Sequence, residues 1–101
     1  MARTQRLREE TLKLLRKRST ASTVDIFEHL NDRFRWGASM NQVSNIMARD
    51  KRFLKVGTAR GFHRGKHNEY TVFVWALKED VEQGKELKFH NHTRLIDGIE
   101  T

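Results

Sequence analysis

A chain of 101 residues, 37% hydrophobic and 33% charged, fits one compact domain with a modest core and little room for a buried catalytic cavity. Twenty lysines and arginines against thirteen acids set the net charge at +7 and the isoelectric point near 10.3, a balance that attracts polyanions over long range. The absence of cysteine excludes a disulfide framework, a thiolate metal site and a cysteine nucleophile, and no apolar run has the length of a signal peptide or a membrane span, so the expectation is a soluble intracellular chain: cytoplasmic, nucleoid-associated, or nuclear in a eukaryote.

From Thr4 to Arg18 there is no glycine or proline, and Leu7, Thr11, Leu14 and Leu15 fall at helical spacing with Arg6, Lys13, Arg16 and Lys17 turned away. Ser19-Thr20-Ala21 is a short connection of small residues. Ser22 followed by Asp25 three residues later reads as a capping arrangement that opens a second helix. Val24, Phe27, Leu30 and Phe34 form its apolar stripe, Asp25, Glu28, His29 and Asp32 point outward, and the helix ends near Phe34 or Arg35. Residues 35–38 make a turn in which Gly37 is best able to take a left-handed conformation. Ser39 and Gln42 then give a second capping box, opening a third helix over 39–50. Met40, Val43, Ile46 and Met47 line its buried side, while Asn41, Asn45 and Arg49, spaced by four, form a polar row opposite with Gln42 beside it.

Beyond Arg52 the period changes. Phe53–Gly57 and Tyr70–Leu77, the latter rich in β-branched and aromatic residues, read as two strands of a hairpin. The loop between them, 58–69, is far longer than a two-residue turn and carries Arg60, His63, Arg64, Lys66 and His67 around two glycines. Residues 78–101 are expected to form a tail with a short amphipathic helix around Glu79–Lys88 and scattered apolar residues Leu87, Phe89, Leu95, Ile96 and Ile99. The domain proper is therefore assigned to 4–77. Charge follows this division: residues 1–18 carry seven positive and two negative charges and residues 51–69 six and one, while the other two stretches are slightly acidic.

The succession of helix, short extended piece, helix, turn, helix, strand, long basic loop and strand resembles the winged helix-turn-helix family over roughly residues 4–77. The most telling stretch is Ser39 to Gly57, where a capped helix runs through Ala48-Arg49-Asp50-Lys51-Arg52 into a strand. The resemblance implies an α+β fold of three helices followed by a two-stranded β-hairpin wing, with a C-terminal tail or short helix. It implies that helix 39–50 enters the major groove of duplex DNA, with Asn41, Gln42, Asn45 and Arg49 facing the bases. Asn and Gln can present a paired donor and acceptor to adenine, and Arg can fork onto guanine. It implies also that Arg60, His63, Arg64 and Lys66 in the wing, with Lys51, Arg52, Arg16 and Lys17, meet backbone phosphate or the minor groove. The function so implied is that of a double-stranded DNA-binding transcriptional regulator or chromatin-associated protein.

Other readings stand beside it. The polar row on helix three and the cations of helix one are also what a solvated helix face looks like. A winged-helix protein-interaction module in a larger assembly would use the helix-three face or the apolar tail. An RNA-binding protein would grip a structured RNA with the same cations and stack Phe62 on an unpaired base. A homodimer is a further expectation, with the tail from Glu79 supplying a dimer helix. No Ser/His/Asp set, phosphate-cradling glycine motif or catalytic carboxylate pair stands out, so no enzyme activity, cofactor or small-molecule substrate is expected. His63/His67 and His90/His92 match no metal-site spacing, and His90-Asn91-His92 shares only its letters with a nuclease motif. Trp36, Phe62, Tyr70, Phe73 and Trp75 read as core or hairpin packing rather than base-stacking platforms.

Overall fold

The structure is a computed structural model and describes residues 2–61, 70–90 and 93–95. Helix α1, Ala2–Arg18, buries Leu7, Thr11, Leu14 and Leu15 as the spacing predicts. The one hydroxyl in that stripe is satisfied locally, because Thr11 Oγ1 donates to the Leu7 carbonyl at 2.8 Å. Arg16, Lys17 and Arg18 occupy the last turn, where cations oppose the negative end of the helix dipole. Ser19, at φ 76°, ends the helix, its N–H still bonded to the Leu15 carbonyl.

The small residues that follow are a strand, β1 (Thr20–Ser22), buried along its whole length. Helix α2 (Thr23–Arg33) opens on the expected box: Ser22 Oγ accepts from the Asp25 N–H and Asp25 accepts from the Ser22 N–H, both at 3.1 Å. Its buried stripe is centred on Thr23, Ile26 and Leu30, with Val24 and Phe27 only half-buried, and Phe34 is the C-cap outside the helix. The stripe expected on Val24, Phe27, Leu30 and Phe34 is thus rotated toward Ile26. The cause is tertiary: Thr23 turns inward to accept a 3.0 Å hydrogen bond from the Trp75 indole N–H.

Gly37 takes φ 62° in the turn, and the Asn31 side chain brackets it by bonding Phe27 O, Ala38 O and Ala38 N. Helix α3 (Met40–Arg49) follows, with Val43, Ile46 and Met47 buried and Met40 half-buried. Strands β2 (Phe53–Gly61) and β3 (Tyr70–Leu77) form the expected hairpin, but β2 runs on through Thr58–Gly61, beyond the expected end at Gly57. Helix α4 is Lys78–Glu82, shorter than the expected 79–88, because Gly84 at φ 69° turns the chain out. Beyond it, strand β4 (Thr93–Leu95) pairs with β2.

Among the described residues the fold is therefore a mixed α+β one, with four helices and an antiparallel four-stranded sheet ordered β1-β3-β2-β4 in place of the expected two strands. Both added strands are edges, three residues long, that exist by pairing with the hairpin. The near-continuous apolar run of β3 has its reason here. Trp75 and Leu77 join Phe53 under the helices, while Val74 and Ala76 join Val56 and Ala59 under Val81 and Leu87 on the other face. A register shift between Lys55 and Gly57 leaves Val56 as the extra residue of β2, fully buried. Residues 88–90 are strapped to the α1–β1 corner: Lys88 N–H donates to Ser19 Oγ at 3.0 Å, Thr20 Oγ1 donates to the Lys88 carbonyl, and the His90 ring nitrogen lies 2.7 Å from the Arg18 carbonyl.

Candidate nucleic-acid interface

The exposed side of α3 carries Asn41, Gln42, Ser44, Asn45, Ala48 and Arg49, all turned to solvent while Val43, Ile46 and Met47 anchor the opposite side. The helix is held at both ends. Ser39 Oγ accepts the Gln42 N–H at 3.1 Å and Gln42 Oε1 accepts the Ser39 N–H at 3.0 Å. That reciprocal bond engages the amide oxygen of Gln42, so Asn41, Asn45 and Arg49 are the side chains of the row with both ends unengaged by the cap.

At the other end, Asp50 closes the helix. Its carboxylate is nearly buried, 6% exposed, and it gathers the Arg52 backbone N–H at 3.0 Å, the Arg52 guanidinium at 3.1 and 2.8 Å, and Arg8 of α1 at 3.6 Å. The forked hydrogen bond from Arg52 holds the Asp50 carboxyl below its usual range against the upward push of burial, and raises the Arg52 guanidinium in turn. Arg52, expected on phosphate, is thus first of all the clasp that turns α3 into β2. Lys51 beside it is exposed.

Arg16, Lys51, Arg52 and Lys78 line a cleft of about 320 Å³ floored by Leu12 and Leu77, with Glu79 and Glu82 on its rim. Lys17 is exposed one residue on. Arg60 is exposed on β2 opposite Thr71. His63, Arg64 and Lys66 lie outside the described residues, as do Phe62, Ile96 and Ile99.

Several residues escape a reading of the sequence. Asp50 is one, although an acid placed at a helix C-terminus among Arg49, Lys51 and Arg52 is against the dipole and so signals a local partner. Glu10 is another: it lies 2.9 Å from the His29 ring nitrogen and 3.5 Å from Arg33 Nε, joining α1 to α2. The His29 hydrogen bond is the main reason its carboxyl sits below the usual value. The aromatics divide. Trp75 is core, but Phe73, expected in packing, is 42% exposed, and Trp36, 37% exposed, stacks on Phe34 with centroids 4.7 Å apart. Among the described residues, no helix is long and apolar enough to cross a membrane, and no three His, Cys, Asp or Glu side chains gather as a metal site.

The profile of DUF3860, a family described as a domain of unknown function with a solved structure, matches residues 2–97. The chain belongs to this family. The DUF3860 chain is similar to a crystal structure from an uncultured marine organism, named as that of a candidate nucleic-acid-binding protein. The two are 30% identical and superpose with a TM-score of 0.68, over 82% of this chain and 89% of that one. No curated protein matches the DUF3860 chain.

Proposed function

We propose that this DUF3860 chain is a winged helix-turn-helix protein that binds duplex DNA, as a transcriptional regulator or chromatin-associated protein, and that it performs no catalysis. The observation that carries the proposal is α3 itself. It is a helix capped at its start, clasped by Asp50 at its end and anchored by Val43, Ile46 and Met47, and it presents Asn41, Asn45 and Arg49 to solvent in one row on a fixed backbone. Rigid placement is what base reading needs, because a bidentate contact discriminates only if the side chain is held at the groove. Order along the chain supports the same reading: α1, β1, α2, turn, α3, then the paired strands β2 and β3, with Arg64 and Lys66 between them in sequence. The charge of +7 and the similar nucleic-acid-binding candidate add weight.

On this reading α3 lies in the major groove, the loop after β2 reaches phosphate or the minor groove, and Lys51, Arg16 and Lys17 contact the backbone. The test is fluorescence anisotropy of a labelled duplex at low and moderate salt, with a hairpin RNA of equal charge as competitor. Salt-sensitive duplex binding that RNA fails to displace is expected. Displacement by RNA at equal concentration would transfer the function to RNA, and no binding at low salt would favour a protein-interaction module.

A further inference from the structure

Among the described residues, the inner face of the hairpin, the one that meets the helices, is only half covered. Near β1 it buries Trp75 and Leu77. Cover stops where Thr23 Oγ1 donates to the Phe73 carbonyl at 3.3 Å, and farther out the same face carries Phe73, Thr58, Thr71 and Arg60, paired across the strands as Thr58 with Phe73 and Arg60 with Thr71. Phe73 is therefore a large ring in the middle of a central strand with 42% of its surface in solvent. Among the described residues, a ring there for packing alone has nothing to pack on outward.

What surrounds it is cationic and polar instead. Lys55 Nζ stands 4.0 Å from the Phe73 centroid and 5.7 Å from that of Trp75, and Trp75 meets Phe73 edge-on with centroids 6.3 Å apart at 72°. The ring is thus held upright by an indole on one edge, with an ammonium over one of its two faces, and a base would stack on the other. Arg60 is exposed two residues beyond Thr58, and the sequence between β2 and β3 is itself basic. An aromatic ring flanked by cations on an open strand surface is the arrangement by which proteins hold an unpaired base, the ring stacking on its π-face and the cations meeting the phosphates on either side.

We propose that Phe73, with Lys55 over one face and Arg60 farther out on the same side of the hairpin, is a stacking site for one unpaired nucleobase of a bound nucleic acid. Resting on the duplex reading above, this makes the preferred ligand a duplex with a single-stranded tail or flipped-out base, α3 taking the paired part and the hairpin the unpaired part. Phe73 is then a specificity residue for nucleic-acid structure, distinct from the sequence-reading row on α3.

The experiment compares four ligands: one duplex sequence blunt, carrying a short thymidine tail, and carrying an abasic tail of equal charge, and the thymidine strand free. The full chain is tested beside Phe73→Leu, which keeps an apolar side chain without a stacking face, and Phe73→Trp, which restores one. The expected result is that the wild type binds the thymidine tail roughly tenfold more tightly than the abasic tail. Phe73→Leu should lose that advantage with blunt-duplex affinity unchanged, and Phe73→Trp should recover it. Equal binding of both tails by the wild type, or an advantage kept in Phe73→Leu, overturns the stacking site and leaves the duplex reading standing. Binding of a free thymidine strand, lost in Phe73→Leu, with no binding of blunt duplex overturns the duplex reading and retains the stacking site. No binding of any of these ligands overturns both.

Discussion

Replacing Asp50 by alanine removes a carboxylate with 6% exposure that serves four donors: the Arg52 N–H, two guanidinium nitrogens of Arg52, and Arg8. Breaking a fully buried ion pair costs about 3–5 kcal/mol. Here the abandoned guanidiniums are 49% and 35% exposed and can turn to water, so most of that penalty is relieved. What remains is one charge-assisted hydrogen bond and the turn it closes, about 2 kcal/mol, or about 10 °C in melting temperature for a domain this size. The dependence on pH is fixed in sign. The folded carboxyl titrates below the usual 3.8, so its contribution is complete above that value and is lost as pH falls through the folded pKa. Urea melts of wild type and Asp50→Ala should therefore differ by a constant amount from neutral pH down to about 5, with the gap closing below about 4. A gap under about 0.5 kcal/mol at neutral pH, or one that widens on acidification, would refute the assignment of Asp50 as the clasp between α3 and β2.

Gly37→Ala should destabilise by about 1–2 kcal/mol, because a Cβ at φ 62° would stand 2.4 Å from Asn31 Oδ1 and displace the bracket; an unchanged thermal midpoint would contradict this. Ser39→Ala removes one half of the α3 cap and should cost about 1 kcal/mol in a urea melt, less if water replaces the hydroxyl. In Gly57→Ala the new methyl would lie 2.6 Å from the Arg94 carbonyl and from Thr93 Cγ2, so β4 should leave β2; amide exchange should accelerate at Thr93–Leu95 while α1 amides keep their protection. For the DNA reading, Asn45→Ala and Arg49→Ala should flatten sequence preference in a site-selection assay by about 1–3 kcal/mol per contacted base, whereas Arg64→Ala should weaken all sequences and lower the salt slope by about 1. Retained preference in both α3 variants would reject α3 as the reading helix.

What was legible in the sequence was local. Ser22 with Asp25 and Ser39 with Gln42 announce their helices because a capping box is closed within four residues, and Gly37 marks its turn because few other residues accept φ 62°. The pairing of β1, expected only as a short extended piece, and the strand β4 were not legible for the opposite reason. Thr20-Ala21-Ser22 has no alternation and little β-propensity, and it is a strand because Ala76, Trp75 and Val74 lie opposite it across more than fifty positions of chain. Thr93–Leu95 likewise pairs with β2 at Gly57, where a Cβ would stand 2.6 Å from the Arg94 carbonyl and its absence lets the strand approach. The stripe of α2 was misplaced by the same kind of long-range demand, since a buried indole N–H needs an acceptor and Thr23 supplies it.

The site divides along that line as well. The exposed row of α3 follows from helical period alone, since the positions opposite a buried Val43, Ile46 and Met47 must face outward whatever the rest of the chain does. Which cations remain available does not follow from period. Arg52 and Arg49 are equivalent in composition, yet one is forked onto a carboxylate two residues away and the other makes no ion pair with a described acid. Phe73 and Trp75 are likewise two aromatics on one face of one strand, and the place where α2 begins, at Thr23, separates the buried Trp75 from the exposed Phe73. Specificity of the kind proposed for α3 is thus encoded where a helix can be read in isolation. Recognition of the kind proposed for Phe73 is encoded in where packing stops, which is a property of the fold.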